Sequence, residues 1–404
     1  MSPNGQLVLL LCLWLSCSTL TAGAYGWLRF RQNLDLFALF LAPAPAPLEP
    51  LSDFRFSDPA PPPPPITLRP SPLAVKPPAS LAPKTVNPKP ASSFPPVAAA
   101  VNPSPDLKPS QTGIRGLYLS RYAITNNASE AQIRSQVRRY KALGVNTLIH
   151  GVWGNGCAMY RSAALKTRLG LASCPNQFDP QWLDWLIDEA HRQGMEVHAY
   201  FEKGIKLDRN SPIFEEARAK GWLAPGVDRT YAGVEHYILD VANPEIAGLF
   251  RDVLVEFVQK YPQIDAVQWD DYLGYHSETP SPPERIRALT QFVTGMLGAA
   301  KKANPRVKFD LCHHNPYWAK RYFAADWPNW PVDRVFIQAY NDDNFSAELA
   351  YAQRYRGISL TEHQAHRFPE VFKSPEIRHI FLFPLAGAPE QTARLFQRLA
   401  DNPP

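Results

Sequence analysis

The chain has 404 residues, 42 of them proline, and a formal net charge of +5. Because this charge is mild and is not gathered into runs of Lys or Arg, the composition does not support nucleic-acid binding. The 10 Trp, 16 Tyr and 21 Phe suggest a carbohydrate ligand, since aromatic faces stack on sugar rings, although core packing is their default role.

The first feature along the chain is an almost uncharged apolar run from Leu7 to Leu28, long enough to span a bilayer. It is either a signal peptide, cut after the small residues Ala22 to Ala24, or a retained membrane anchor. The lack of Lys or Arg before the run is atypical of both. Either interpretation of residues 1–30 predicts export to the cell envelope, with attachment to the membrane favoured over release.

A proline-rich segment follows, and we assign residues 31–110 to a disordered linker. Proline occupies about every third position from Ala42 to Ser110, so the segment cannot bury enough apolar surface to fold and is expected to be extended and polyproline-like. A proline-rich motif that binds a partner is the alternative. The linker interpretation predicts a tether between the N-terminal segment and a folded domain.

Strand-like and helix-like segments alternate from Gly113 onward, and we assign residues 111–404 to one domain. The predicted strands are Arg115–Ser120, Val145–Trp153, Glu196–Glu202, Ala266–Trp269, Val307–His314, Arg334–Tyr340 and His379–Pro384. The predicted helices follow Ser129, follow Asp179, lie near Trp318, and span Pro212–Gly221, Pro244–Tyr261, Glu284–Ala303, Ser346–Tyr355 and Glu390–Leu399.

This alternation predicts an α/β fold of the TIM (β/α)8-barrel type, with parallel strands and helical crossovers. One more strand is needed to complete the barrel, and we place it at Ile358 to Leu360. Little helical pattern follows it, which predicts that the last third of the barrel is irregular. A doubly wound open sheet is the alternative. It is less favoured because no Gly-x-Gly-x-x-Gly motif follows any strand.

Candidate catalytic residues lie where the predicted strands end, because barrel enzymes place their chemistry at the carboxyl ends of the strands. Asp270 and Asp271 follow one strand, and Glu202 ends the strand before it. Alternation along a strand puts Asp270 on the face of Gln268 and Asp271 on the opposite face. Two carboxylates from neighbouring strands would supply the acid and the nucleophile or base of glycoside hydrolysis. The plain alternatives are a solvated turn for the aspartates and a surface ion pair with Lys203 for Glu202.

Polar and aromatic residues at the strand ends are predicted to bind the substrate. They are Arg121, His150, Trp153, Tyr200, Gln268, Asn315, Gln338 and Tyr340. No cofactor is expected. A shared metal at His313 and His314 is not expected either, because adjacent residues on a strand face opposite ways. Cys157 and Cys174 lie in one loop of an exported domain and are predicted to form a disulfide, and Cys312 is predicted to be a buried free thiol.

Four motifs give the domain a resemblance to a known family. They are Arg115–Leu119, Leu143–Leu148, Trp185–Glu202, and Leu239–Glu245 combined with Val267–Tyr272. Over about residues 113 to 275, in order and spacing, the chain resembles the glycoside-hydrolase-like family GHL10 (DUF187) of bacterial envelope proteins with a TIM-barrel domain. The resemblance implies hydrolysis of glycan strands, peptidoglycan for some members, and it places Glu202 and Asp270 on catalytic positions. Beyond Tyr272 the usual closing segments of the family are hard to align with this chain, so the resemblance does not carry over to Gln338 and Tyr340.

The sequence therefore predicts an exported glycosidase that acts on cell-wall or related polysaccharide, with Glu202 as general acid, Asp270 as nucleophile or base, and Asp271 assisting. Two other functions remain open. One is a metal-dependent polysaccharide deacetylase built on the aspartates and the histidine pair. The other is a non-catalytic glycan-binding protein of the envelope.

Overall fold

The computed structural model describes residues 60–63, 113–119, 125–175, 178–229, 235–277, 279–385 and 388–401. The predicted leader, most of the predicted linker and Arg121 lie outside these residues, so the assignments made for them stay predictions. In the described part of the chain, none of the helices is both long enough and apolar enough to cross a membrane.

Parallel strands form a closed barrel of eight in the described residues. They are β1 Arg115–Leu119, β2 Thr147–Gly154, β3 Glu196–Phe201, β4 Ala266–Trp269, β5 Lys308–His313, β6 Arg334–Gln338, β7 Gly357–Thr361 and β8 His379–Phe383. Neighbours in this order are hydrogen bonded, and β1 pairs with both β2 and β8, which closes the sheet. The predicted TIM-type barrel is confirmed, and the doubly wound open sheet was the wrong alternative.

Helices surround the barrel and make the crossovers between its strands. They are α1 Glu130–Ala142, α2 Ala163–Leu169, α3 Trp182–Arg192, α4 Phe214–Ala219, α5 Pro244–Lys260, α6 Pro283–Ala303, α7 Pro316–Phe323, α8 Phe345–Tyr355, α9 Phe368–Phe372 and α10 Pro389–Asp401. Helix α1 begins at Ser129, which forms a capping box with Gln132. Helix α5 begins at Asn243, whose side chain accepts from the Glu245 amide.

The barrel interior is filled by every second residue of the strands. Its apolar layer comprises Ile114, Tyr118, Ile149, Tyr200, Cys312, Phe336 and Phe381. The rings of Phe336 and Phe381 stack with centroids 3.5 Å apart, and Gly116 lies against Phe381 where a Cβ would clash. The residues between them on each strand point outward and pack on the helices. Both faces of β2 are therefore covered, and all its residues are buried.

The amino-terminal end of the barrel holds a buried cluster of charges. Arg334 forms a bidentate ion pair with Asp310, in which both N···O distances are 2.8 Å. Its Nη2 lies 3.2 Å from His198 Nε2. Glu196 accepts from His198 at 3.0 Å. Asp310 and His198 are fully buried. The ion pairs and hydrogen bonds within the cluster compensate for the burial of these charges. The cluster lies at the end of the barrel opposite the one that carries the active site in such folds.

Two insertions extend the carboxyl end of the barrel. The loop after β2 carries the disulfide between Cys157 and Cys174, which confirms the predicted pairing. Cys312 is a buried free thiol, as predicted. The segment 203–241 after β3 contains a two-stranded antiparallel sheet, in which Lys206–Leu207 pairs with Tyr237–Ile238.

The last third of the barrel closes through a strand whose crossover is short. Strand β7 contains the predicted segment Ile358 to Leu360 and pairs in parallel with β6 and β8. The chain after it forms a 3-10 helix, Glu362–Arg367, and the five-residue α9 before it reaches β8. The strand prediction is confirmed. The weak helical pattern in the sequence corresponds to this short, broken crossover.

Candidate active site

The two adjacent aspartates lie at the carboxyl end of β4, where the strand changes into a turn. All four residues of β4 are buried. Asp270 then caps a 3-10 turn, Asp271–Leu273, by accepting from the Tyr272 amide at 3.0 Å. Because the strand stops at Trp269, strand alternation does not continue through Asp271. The expectation that Asp271 faces away from the barrel interior was therefore wrong, as its hydrogen bond partner demonstrates.

Asp270 is hydrogen bonded to a buried tyrosine that packs inside the barrel. Tyr200, two residues before Glu202 on β3, donates its hydroxyl to Asp270 Oδ2. The ring of Tyr200 meets the ring of Tyr118 edge to face at 5.1 Å, and the Tyr118 hydroxyl accepts from Gln268 at 3.0 Å. These fully or nearly buried partners fix the orientation of the Asp270 carboxyl group.

Asp271 is held from the far side of the site by Gln338. The Gln338 side-chain amide donates to Asp271 Oδ1 at 2.9 Å. Gln338 lies two residues after Phe336 on β6, so both side chains point to the same face of the strand. Because Phe336 is an interior residue, Asp271 contacts a side chain on the inner side of the barrel. Asp270 and Asp271 are 8% and 6% exposed, and two neighbouring carboxyl groups buried to this degree cannot both ionise at low cost.

The surroundings push the pKa values of the two aspartates apart. Burial, followed by the charge of Asp271, raises the pKa of Asp270 to about 8. Burial also opposes ionisation of Asp271, but the Lys206 ammonium, the nearby His314 and His313 and the Gln338 hydrogen bond outweigh it and lower the Asp271 pKa. At neutral pH the pair therefore holds one proton, and that proton is on Asp270.

The positive charge near Asp271 comes from the insertion after β3. The Lys206 side chain is fully buried, with Nζ 2.7 Å from Asp228 Oδ2 and 4.3 Å from the centroid of the Tyr272 ring. Asp228 Oδ1 lies 3.1 Å from His276 Nδ1, and the Ile205 amide donates to the Tyr272 carbonyl at 3.1 Å. The insertion thus contacts the turn that carries both aspartates.

Glu202 directly follows β3 at the carboxyl end of the barrel. Strands β3 and β4 pair in the register Tyr200 to Gln268, so Glu202 and Asp270 each follow the carboxyl end of one of two neighbouring strands. Its carboxylate lies over the backbone of Gly151, where a Cβ would clash with Oε2. The electrostatic influence of both Glu202 and Asp270 reaches the Tyr200 hydroxyl. Glu202 is only partly buried, so it stands nearer to solvent than the aspartates.

The remaining inner side of the site is formed by β5, β6 and β7. The Tyr340 hydroxyl lies 2.8 Å from Ser359 Oγ and 3.7 Å from Cys312 Sγ, and its ring stacks on Phe383. Burial raises the pKa of the Cys312 thiol to about 12, so the sulfur is a neutral packing group. Tyr340 is partly exposed and is the member of this group available to a ligand.

Three residues predicted to bind substrate instead occupy buried structural positions. Trp153 is fully buried and packs against Phe250, its indole donating to the Gly204 carbonyl at 3.2 Å. His150 is fully buried against Trp182.

Asn315 caps α7 and donates to Glu348 at 3.1 Å. Like Trp153 and His150, it follows or ends a barrel strand on the side that packs against the helices, so the list from strand ends was too broad. Arg121 lies outside the described residues.

The structure adds site residues that the sequence analysis did not name. Tyr118 has the parity of the barrel interior, and that parity was a usable signal. Lys206 and Asp228 could not be paired from the sequence, because they lie in an irregular insertion. Among the described residues, no three His, Cys, Asp or Glu side chains are grouped as a metal site requires.

Comparison with known families agrees with the resemblance read from the motifs. Residues 113–287 match the family described as glycosyl hydrolase-like 10. The protein named glycosyl hydrolase DigH from Escherichia coli K12 is 28% identical over 179 residues, which is 39% of this chain and 38% of that protein. DigH from Shigella flexneri matches to the same extent. The chain thus spans well under half the length of these relatives. The family match over residues 113–287 contains Glu202, Asp270 and Asp271.

Comparison with solved structures finds matches at low sequence identity. The GH36 alpha-galactosidase AgaA from Geobacillus stearothermophilus aligns with a TM-score of 0.41 and 13% identity, over 72% of this chain and 42% of that one. An alpha-amylase from Lactobacillus plantarum aligns with a TM-score of 0.41 and 13% identity, over 68% and 71% of the two chains.

Proposed function

We propose that this protein hydrolyses glycosidic bonds by acid–base catalysis at the carboxyl end of its barrel. The observation that carries the proposal is the buried aspartate pair, whose surroundings leave a proton on Asp270 and a charge on Asp271. A carboxyl group that stays protonated at neutral pH can donate to the leaving oxygen of a glycoside. The match to a glycosyl hydrolase-like family supports this class of activity.

In this mechanism Asp270 is the general acid and Glu202 is the nucleophile or base. Burial of Asp270 favours the reverse of the roles assigned from the sequence, where Glu202 donated the proton. Glu202, nearer to solvent on the neighbouring strand, attacks the anomeric carbon or activates a water. Asp271 stays charged and keeps the proton on Asp270. Tyr340 contacts the sugar.

We propose bacterial cell-wall glycan, with peptidoglycan strands first, as the substrate. The expected export of the chain supports it, as does the family resemblance. The first test incubates the full chain with purified glycan strands and measures new reducing ends. Asp270→Asn and Glu202→Gln should each reduce the rate by about 100-fold or more, whereas the exposed Asp343→Asn should leave it unchanged.

Three other outcomes would contradict the proposal. Release of acetate without new chain ends would indicate a deacetylase, and loss of that release with a chelator would make it metal dependent. Binding of glycan without turnover, retained in Asp270→Asn, would indicate a non-catalytic glycan-binding protein. Equal rates for the wild type and Asp270→Asn would remove the aspartate from the mechanism.

Leaving-group chemistry separates the roles of Asp270 and Glu202. An aryl glycoside with an acidic phenol needs little help from a proton donor, so Asp270→Asn should retain much more activity on it than on glycan strands. Glu202→Gln should be impaired on both substrates, because the attacking group is missing in each case. The opposite pattern would restore the assignment made from the sequence.

With Asp270 as the acid, activity should fall as pH rises through about 8.

A further inference from the structure

The structure places a short piece of the proline-rich segment on the barrel domain. Residues 60–63 have the sequence Ala-Pro-Pro-Pro. Ala60 packs against the hydrophobic core, and the Tyr351 hydroxyl on α8 donates to the Pro61 carbonyl at 2.7 Å. This contact joins residues 290 positions apart in the sequence. It lies on an outer helix, and the proposed glycosidase mechanism does not use it.

The burial pattern of these four residues matches a polyproline II helix lying on a surface. Ala60 and Pro63 are partly buried, whereas Pro61 and Pro62 are exposed. A polyproline II helix has three residues per turn, so positions three apart share one edge. Proline carbonyls have no partner within such a helix, which leaves them free to accept from a protein donor.

Tyr351 is suited to receive this segment. With the segment in place Tyr351 is only 3% exposed, and a tyrosine hydroxyl covered to this degree needs a partner, which the Pro61 carbonyl supplies. Aromatic side chains with an outward donor are the elements by which proteins recognise polyproline segments, since the preformed helix loses little entropy on binding.

We propose that the face of α8 around Tyr351 is a polyproline-binding seat, and that Ala60–Pro63 of the same chain is its occupant. The seat divides the proline-rich segment into two parts. Residues 31–59 then set the distance between the N-terminal segment and the barrel and can span at most about 100 Å, whereas residues 31–112 could span about 290 Å. The seat therefore limits how far the domain can stand from its point of attachment.

The test uses the full chain with the photoreactive residue p-benzoylphenylalanine in place of the exposed Pro62. Irradiation and peptide mapping should find the probe joined to the peptide that contains α8. Tyr351→Phe removes the donor and should lower the ratio of docked to free segment about fivefold. Ala60→Arg, which places a charge where Ala60 packs, should nearly abolish the product. Tyr355→Phe, a tyrosine on the same helix without this bond, should leave it unchanged.

Mixing isotope-labelled and unlabelled chains identifies the source of the occupant. Products within one chain support the proposal. Products between two chains would overturn it, because the seat would then bind a second copy. A yield at α8 no higher than from a probe placed at Ser71, or an equal yield in the wild type, Tyr351→Phe and Ala60→Arg, would also overturn it. None of these outcomes depends on the glycosidase activity.

Discussion

The raised pKa of Asp270 should be measurable as a dependence of folding stability on pH. In the folded protein this carboxyl keeps its proton up to about pH 8, whereas its ordinary pKa is 3.8. Between these values the folded state binds a proton that the unfolded state has lost. Stability from this group is therefore greatest below about pH 4, falls as pH rises, and levels off above about pH 8.

The size of the effect follows from the linkage relation. One extra proton bound by the folded state changes the free energy of unfolding by about 1.4 kcal/mol per pH unit. From pH 5 to pH 7, Asp270 alone should therefore lower the stability by about 3 kcal/mol, as an upper limit. Asp270→Asn resembles the protonated form and should abolish this slope. The variant should become more stable than the wild type as pH rises.

Urea unfolding followed by tryptophan fluorescence at pH 5, 6, 7 and 8 measures this slope. The difference between the wild type and Asp270→Asn isolates one group, since every other titrating residue is present in both proteins. Asp343→Asn, at an exposed position, should parallel the wild type. Asp271→Asn removes the like charge and should reduce the slope without abolishing it, because burial still acts on Asp270. Parallel curves for the wild type and Asp270→Asn would refute the reasoning.

Other predictions concern the supports of the fold and site. Gly151→Ala should abolish glycan hydrolysis by displacing Glu202, whereas Gly298→Ala, whose Cβ meets nothing within 4 Å, should retain activity and gain about 0.5–1 kcal/mol in urea unfolding. Arg334→Met removes the cationic partner of the buried Asp310 carboxylate at the amino-terminal end of the barrel. It should cost about 3–5 kcal/mol of stability and leave the KM for glycan unchanged. Reducing the disulfide, whose cysteines are 17 residues apart, should cost about 3 kcal/mol by the same unfolding assay.

The barrel was predictable because its signals are local. An apolar run such as β4, fully buried on both faces, differs from an amphipathic helix within a few residues. Helix starts such as Ser129 and Asn243 are marked by capping side chains that act on the next turn. The crossover after β7 was hard to predict because a broken 3-10 segment has no period to detect.

The candidate site was predictable only in part, because strand ends do not reveal which way a side chain faces. Alternation along the strands selects Tyr200, Gln268 and Gln338 as interior residues. In the structure Tyr200 and Gln338 donate to the aspartates, and Gln268 donates to the Tyr118 hydroxyl. His150 has the opposite parity to Ile149, and this was the signal that it packs on the helices. Asp271 escaped the rule because β4 ends one residue before Asp270.

The part of the site that sequence could not supply is the buried charge of Lys206. A lysine ammonium out of water is costly unless it is paired, and Asp228 meets this need from a position in the same insertion. The insertion reaches the site through a left-handed turn at Lys203 and Gly204, with φ of 61° and 44°. A Cβ at Gly204 would strike the Tyr272 backbone.

The buried Lys206–Asp228 ion pair lies close enough to Asp270 and Asp271 to influence their carboxyl groups electrostatically. Apolar packing at the same place could not do so. The Lys206 ammonium lowers the pKa of Asp271, and the charge on Asp271 raises the pKa of Asp270 by more than the ammonium itself lowers it. The protonation of the proposed general acid therefore depends, through Asp271, on a segment outside the barrel that carries none of the proposed catalytic residues.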